Sequence, residues 1–174
     1  GWRMGNKSYT VEMIHELAKS MGKFNPYWLE EPLLPEEHQS YKDLRQKGFV
    51  KVATGEHEQE YEGFEDLASL QATDFLQMDV CCQGGFEMGL KVFDLAAAHK
   101  MKFAFHSWGT MLEVLAAAQL GVCREESVVE WLEYPCYSSP GKAGMYPFPL
   151  SDEILKERLE IKNGYLKLPS GNGL

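Results

Sequence analysis

Acidic residues and one histidine follow strand-like runs at four places along the chain. Glu30 lies in a Trp-Leu-Glu-Glu-Pro run, Glu56 in Thr-Gly-Glu-His-Glu, Asp79 in Gln-Met-Asp-Val, and His106 follows Met-Lys-Phe-Ala-Phe. Carboxylate oxygens are the ligands that a hard divalent cation such as Mg²⁺ prefers, and an imidazole can move a proton near neutral pH. The residue types therefore predict a magnesium-assisted acid/base site.

The spacing of these four residues indicates how the fold would bring them together. They recur about every 25 residues, a length that accommodates one strand, one helix and two short loops of a β/α barrel. In such a barrel the residues that follow successive strands converge on one face, where active sites lie. We therefore expect Glu30, Glu56, Asp79 and His106 to lie in one cleft.

Hydrophobic periodicity predicts the elements that position this cleft. Helices are expected at 8–21, 35–46, 61–70, 86–99 and 110–120. Strands are expected at 27–30, 49–54, 75–78, 101–105 and 128–132. This alternation indicates an α/β fold in which a parallel sheet is covered by helices.

The composition changes after residue 134. Residues 135–149 are rich in Gly, Pro, Ser and Tyr and predict a loop, and residues 151–157 predict a short helical segment. Residues 160–168 predict a β-hairpin, because Asn163 and Gly164 form the dipeptide that two-residue hairpin turns prefer.

The composition also indicates the size of the domain and which binding partners are not expected. The 174 residues suffice for about one domain, and 44% of them are hydrophobic. The net charge is −9 with no basic stripe, so nucleic acid is not expected as a partner. No apolar run reaches the about 20 residues of a membrane span, so no membrane partner is expected either. The four cysteines show no Cys-x-x-Cys spacing, which predicts reduced thiols in a cytoplasmic protein.

The order of these motifs resembles the enolase superfamily, in particular its mandelate racemase-like subgroup. Several motifs agree in order and spacing from the first residues of the chain to the last. The resemblance implies that Glu30 and Glu56 bind one Mg²⁺, and that Asp79 and His106 form a catalytic dyad. It also implies that Glu133, in Trp-Leu-Glu, hydrogen-bonds the substrate carboxylate.

In that family a base removes the proton α to a carboxylate, and the bound cation stabilises the resulting charge. His106 would be the base, and Asp79 would orient its ring and favour its charged form. His57, Ser107 and Trp108 are candidate substrate contacts. Loss of a β-hydroxyl would then give dehydration, whereas reprotonation on the other face would give epimerisation. With Asp79 and His106, the Gly-Glu-His-Glu run looks most like the sugar-acid dehydratases of that subgroup, so the resemblance implies dehydration of a sugar acid, with a racemase, epimerase or cycloisomerase as the alternative.

The resemblance also implies how much of a barrel this chain supplies. Five strands are too few to close a barrel of about eight, and the family's first metal ligand, an Asp, would fall just before Gly1. We expect residues 1–150 to form the C-terminal portion of a (β/α)7β barrel without its first strands and N-terminal capping domain. Residues 151–174 would form a segment whose hairpin packs on that capping domain.

Two expectations about the assembled protein follow from this reading. The full-length form is expected to be a homo-oligomer that acts on a small hydroxy-carboxylate or sugar acid. Residues 1–174 alone are expected to bind Mg²⁺ weakly and to be catalytically silent. A catalytically inactive fragment or binding relic is the alternative from a different functional class.

Overall fold

The computed structural model describes residues 3–4, 7–135 and 159–171, and within them helices and short strands alternate. The helices are α1 (Val11–Gly22), α2 (His38–Gln46), α3 (Tyr61–Ser69), α4 (Gly85–Ala98) and α5 (Met111–Gly121). The strands are β1 (Arg3–Met4), β2 (Lys7–Ser8), β3 (Leu29–Glu30), β4 (Val52–Thr54), β5 (Phe75–Met78), β6 (Lys102–Phe105), β7 (Ile161–Lys162) and β8 (Tyr165–Leu166). The predicted loop beyond Pro135 and the predicted short helix at 151–157 lie outside the described residues.

The central sheet has the strand order β3-β4-β5-β6, and every neighbouring pair is parallel. Glu30 pairs with Ala53, and Met78 pairs with Phe105 in the longest ladder. A helix connects each strand to the next, as parallel pairing requires. The predicted α/β class, with a parallel sheet and covering helices, is confirmed.

Successive residues of the strands face opposite sides of this sheet, as strand geometry dictates. Leu76, Met78, Phe103 and Phe105 pack with the helices in the main hydrophobic core. The residues between them form a smaller buried cluster on the other face, comprising Ala53, Phe75 and Ala104 with Trp28 against them. Both faces of the strands are thus buried, which explains why β4, β5 and β6 read as nearly continuous apolar runs.

The start of the chain differs from the prediction. The helix predicted to begin at residue 8 begins at Val11, because the Thr10 hydroxyl accepts a hydrogen bond from the Met13 amide at 3.3 Å and caps the helix. The chain was expected to open on this helix, but β1 and β2 form a short antiparallel pair before it. The next helix also begins later than predicted, at His38 instead of residue 35.

The prediction of a strand at 128–132 was wrong. Within the described part of the chain, this segment contributes one parallel bridge, between Val129 and Phe103. The Phe103 amide donates to the Val128 carbonyl at 2.8 Å, but the Val128 and Val129 amides both donate to the Glu125 carbonyl. The segment therefore makes a single bridge to β6 and no ladder among the described residues.

The predicted C-terminal hairpin is confirmed. Ile161 pairs with Leu166 and Lys162 pairs with Tyr165 in antiparallel register. Asn163 and Gly164 have φ angles of 53° and 82°, the left-handed conformations that a type I′ turn needs. Its packing on a capping domain stays a prediction. Among the described helices, none has the length and apolar character of a transmembrane segment.

Candidate active site

The carboxyl ends of the four parallel strands bring the predicted site residues to one edge of the sheet. Glu30 is the last residue of β3, and Glu56 follows Thr54, the last residue of β4, by two positions. Asp79 directly follows β5 and His106 directly follows β6. Because parallel strands all end on the same side, these side chains share one surface.

Asp79 and His106 form the hydrogen bond that their spacing predicts. His106 Nδ1 lies 3.0 Å from Asp79 Oδ2, and the His106 amide donates to the Met78 carbonyl at 3.0 Å. The second oxygen, Asp79 Oδ1, accepts from the Cys81 and Cys82 amides at 2.8 and 3.0 Å. The carboxylate is therefore fixed from the backbone side and presents one oxygen to the imidazole.

This arrangement favours the charged form of both dyad members. Burial alone would raise the pKa of Asp79, but hydrogen bonds, first from His106 and then from Glu113 and the backbone, hold that pKa below its usual range. Burial alone would lower the pKa of His106, but the bond to Asp79 and the negative charges of Glu56 and Glu133 raise it to about 9. Asp79 thus provides a strong electrostatic partner for an imidazole that takes up a proton.

A group of potential metal ligands lies beside the dyad. His106 Nε2 is 3.4 Å from Glu56 Oε2, so the imidazole bridges Asp79 and Glu56. His57 Nδ1 lies 2.8 Å from Glu31 Oε2 and 3.6 Å from Glu56 Oε1. Ligand atoms of Glu31, Glu56 and His57 lie within 4.8 Å of one another.

Glu30 lies next to this group but outside it. Its Oε2 accepts a hydrogen bond from Trp28 Nε1 at 3.0 Å, whereas Glu31 accepts one from the Thr54 hydroxyl at 3.2 Å. The negative charge of Glu30 nevertheless raises the pKa of Glu56 and of Glu133, so it lies within electrostatic reach of both. The role of Glu30 as a metal ligand stays a prediction.

The chemistry of these carboxylates fits a hard divalent cation. Burial, with repulsion from Glu31 and Glu30 against the attraction of His106, raises the pKa of Glu56 to about 7. Oε2 of Glu31 and of Glu56 is buried and accepts no aligned hydrogen bond from the residues described, although His57 and His106 approach as ion-pair partners. Buried, mutually repelling oxygens with spare lone pairs are what Mg²⁺ neutralises. Glu56 with Glu30 or Glu31 would hold it.

The remaining predicted site residues lie on the segments after β6 and after the Val129 bridge. The Ser107 amide donates to Glu133 Oε2 at 2.5 Å, and burial raises the pKa of Glu133. Ser107 is fully buried, and its hydroxyl has no hydrogen-bond partner among the described residues. Trp108 is about half exposed, and its amide donates to Glu113 at 3.0 Å. Trp108 and His57 are thus about half exposed, whereas the Ser107 side chain is buried, and the role of all three as substrate contacts stays a prediction.

Sequence reasoning missed Glu113, which lies in the first turn of α5. Glu113 is buried and hydrogen-bonds Asp79, so burial and that bond raise its pKa. Asp79, His106 and Glu113 place their polar atoms within 4.8 Å of one another. A signal was present in the sequence, because Glu113 is the only charged residue between Met111 and Gly121.

Glycine is required at the turn that carries Glu56. Gly55 has a φ of 130°, and a Cβ there would lie 2.6 Å from the Gln77 carbonyl oxygen. The close approach lets the turn after β4 lie directly over the end of β5, which brings Glu56 toward Asp79. Gly84 and Gly85, with φ angles of 88° and 69°, similarly allow α4 to begin directly after the Asp79 turn.

Comparison with known proteins identifies the family of this chain. Residues 5–174 match the model of the family described as enolase C-terminal domain-like. The chain belongs to this family, and its relatives are the mandelate racemase- and muconate lactonizing enzyme-like members of the enolase superfamily.

Three relatives illustrate the range of reactions. A D-galactarolactone cycloisomerase from Agrobacterium fabrum is 30% identical over 97% of this chain and 44% of its own length. A D-xylonate dehydratase from Haloferax volcanii is 28% identical over 96% of this chain and 38% of its own length. The crystal structure of the 3,6-anhydro-D-galactonate cycloisomerase from Zobellia galactanivorans is 29% identical, with a TM-score of 0.76 over 92% of this chain and 42% of that one. The chain thus spans about two-fifths of the length of these relatives.

Proposed function

We propose that this chain carries the proton-transfer half of a magnesium-dependent enzyme that removes the proton α to a carboxylate, and that its reaction is the dehydration of a sugar acid. The observation that carries the proposal is the position of His106 between Asp79 and Glu56. One ring nitrogen is held by a carboxylate, and the other faces the candidate cation site. A base in this position can reach a carbon next to a metal-bound carboxylate.

His106 would exchange the proton through Nε2, because Nδ1 is engaged by Asp79. Neutralising the charge of Glu56 lowers the pKa of His106 from about 9. The imidazole then more readily adopts the neutral form that a general base needs. Mg²⁺, when bound by Glu56 with Glu30 or Glu31, supplies positive charge that stabilises the deprotonated substrate. Asp79 then stabilises the imidazolium that forms.

Elimination needs an acid for the departing β-hydroxyl. The imidazolium of His106 can return its proton to that hydroxyl, so that water leaves and an enol remains. Glu133, whose pKa burial raises and whose Oε2 accepts a hydrogen bond from the Ser107 amide, can share a proton with a substrate oxygen. Trp108 and His57 would line the part of the site that is open to solvent.

A cycloisomerase is the second candidate, favoured by the 30% identity to the D-galactarolactone cycloisomerase. It also needs a base close to a carboxylate, so the described geometry serves both reactions. The mass of the product distinguishes the two reactions. Dehydration removes one water from the substrate, whereas cycloisomerisation, racemisation and epimerisation leave the mass unchanged.

The test uses the polypeptide that contains residues 1–174 and a set of aldonates, aldarates and their lactones. Each compound is incubated with Mg²⁺, or with EDTA as control, and the products are analysed by mass spectrometry. A product lighter by one water, formed only with Mg²⁺, supports a dehydratase. An isomeric product supports the second candidate. Failure to convert any compound, together with no Mg²⁺ binding, favours the inactive relic and overturns the proposal.

A further inference from the structure

Gln83 is a buried amide that lies between the turn carrying Glu56 and the turn carrying Asp79. Only 1% of its surface is exposed. Its Oε1 accepts a hydrogen bond from the Asp79 amide at 2.6 Å. Its Nε2 donates to the Gly55 carbonyl at 2.7 Å and also to the Glu58 carbonyl. The whole side-chain amide is therefore committed to backbone groups of two different loops.

These contacts hold both ends of the turn in which Glu56 lies. Gly55 precedes Glu56, and the Glu58 amide closes the turn by donating to the Gly55 carbonyl at 3.0 Å. Both carbonyls that Gln83 contacts thus belong to this one turn, with Glu56 between them. A shift of the turn would stretch two hydrogen bonds in a buried site, where an unpaired polar group is costly.

Gln83 also fixes the turn that presents the dyad. Its backbone amide donates to the Asp79 carbonyl at 3.0 Å, while its side-chain oxygen accepts from the Asp79 backbone amide. The β4–β5 ladder ends at the pair Thr54 and Leu76, before either turn begins. Gln83 therefore continues the connection between the two strands at the level of the site.

We propose that Gln83 is a positioning residue that sets the distance between the metal ligand Glu56 and the dyad of Asp79 and His106. This inference rests on the proposed function, because it assigns Glu56 to a metal site. Gln83 contacts no reacting atom and acts through the two turns. Partners that orient metal ligands from behind typically contribute about 10- to 100-fold to metal affinity.

Two substitutions separate this role from a general effect on stability. Gln83→Met keeps the side-chain length and removes all the side-chain hydrogen bonds. Gln83→Glu keeps the acceptor for the Asp79 amide but places a second oxygen against the Gly55 and Glu58 carbonyls. The matched control is Thr73→Val, because Thr73 is also fully buried and its hydroxyl donates to the Val52 carbonyl at 2.7 Å, at the opposite end of the strands.

The first measurement is the Mn²⁺ affinity of the polypeptide that contains residues 1–174. It is determined from the electron paramagnetic resonance signal of free Mn²⁺, at a temperature where circular dichroism shows every variant folded. Gln83→Met and Gln83→Glu should each weaken Mn²⁺ binding by about 10- to 100-fold. Thr73→Val should change it less than about two-fold, even if it costs as much stability. A folded Gln83 variant that binds Mn²⁺ as tightly as wild type overturns the inference. If Gln83→Met does not fold, Gln83→Glu carries the same test.

A second measurement separates failure of this inference from failure of the proposed function. If wild type binds no Mn²⁺, the metal site itself is refuted. Hydrogen exchange of the Glu58 amide then decides whether Gln83 orders the turn. Protection of this amide should fall at least about ten-fold in the Gln83 variants and stay unchanged in Thr73→Val. Unchanged protection in the Gln83 variants overturns the inference whatever the metal does.

Discussion

His106 Nε2 lies 3.4 Å from Glu56 Oε2, while Nδ1 of the same ring lies 3.0 Å from Asp79 Oδ2. The imidazole is thus held between a carboxylate that is stabilised by backbone amides and one whose pKa burial raises. The two carboxylates differ in environment although each follows the end of its strand. That difference supports the proposal that Asp79 orients the ring and that Glu56 binds a cation.

Glu56→Gln should stabilise the metal-free protein at alkaline pH. The pKa of Glu56 is raised from 4.5 to about 7, so its stabilising contribution is present below pH 4.5 and lost as the pH rises through 7. At pH 8 the substitution should increase the free energy of unfolding by about 1–3 kcal/mol, since one unit of pKa shift corresponds to about 1.4 kcal/mol. Urea unfolding in EDTA at pH 5 and pH 8 measures this, and the gain should shrink at pH 5.

The control for Glu56→Gln is Glu65→Gln, an exposed position on α3, which should change the unfolding free energy by less than about 0.5 kcal/mol. Added Mg²⁺ should stabilise wild type but not Glu56→Gln, because a ligand stabilises only the protein that binds it. A Glu56→Gln protein less stable than wild type at pH 8 in EDTA would show that the carboxylate is not strained by burial and repulsion.

Glu113 should order the segment after β6 by its hydrogen bonds to Asp79 and the Trp108 amide. Glu113→Gln keeps an acceptor for Trp108 and a donor for Asp79, so it should leave stability within about 1 kcal/mol of wild type. Glu113→Leu removes both bonds and should cost about 1–3 kcal/mol. Hydrogen exchange of the Trp108 amide reports the contact directly. Equal protection in the two variants would contradict this account.

His38 should link α2 to α3 and to the Glu56 turn in a pH-dependent way. Its ring nitrogens lie 2.9 Å from Glu58 Oε1 and 2.6 Å from Asp66 Oδ2, and the bond to Glu58 is the largest cause that raises its pKa to about 9. The stabilisation is fully present below pH 6.5 and lost as the pH rises through 9. His38→Gln should therefore cost about 1–3 kcal/mol at pH 6 and less at pH 9.5.

Thermal unfolding of wild type and His38→Gln between pH 6 and 9.5 checks this. The control is Gln39→Ala, which removes the hydrogen bond that the exposed Gln39 side chain donates to Asp43 on the same helix. This variant should show no such pH trend. A stability difference for His38→Gln that is constant across this range would mean that the histidine is not held in its charged form.

Strand-end spacing predicted the site because it depends on regular elements. Asp79 and His106 lie 27 residues apart, and one β/α unit brings them into contact on neighbouring strands. The apolar pattern at 128–132 predicted a strand, but this segment makes a single bridge to β6, at Val129, among the described residues. An apolar pattern shows which residues can be buried in a strand, but it does not show whether their backbone pairs with a neighbouring strand.

Side chains that act across loops could not be predicted from spacing. Gln83 lies four residues after Asp79 and contacts the Gly55 carbonyl 28 positions earlier, which no periodicity indicates. His38 lies in the helix predicted at 35–46, where spacing gives no sign of a partner, yet its side chain is only 15% exposed because it contacts Glu58 and Asp66. Such contacts depend on loop conformation and on which helix faces pack together.

The most direct test of the central claim is exchange of the substrate α-proton with solvent deuterium, followed by proton NMR with Mg²⁺ present. The substrate is the sugar acid that the product screen identifies. If His106 is the base, His106→Asn should lower the exchange rate by about 10²- to 10⁴-fold. His99→Asn, at the end of α4, should exchange at the wild-type rate. Wild-type exchange in His106→Asn would contradict the assignment of His106 as the group that removes the proton.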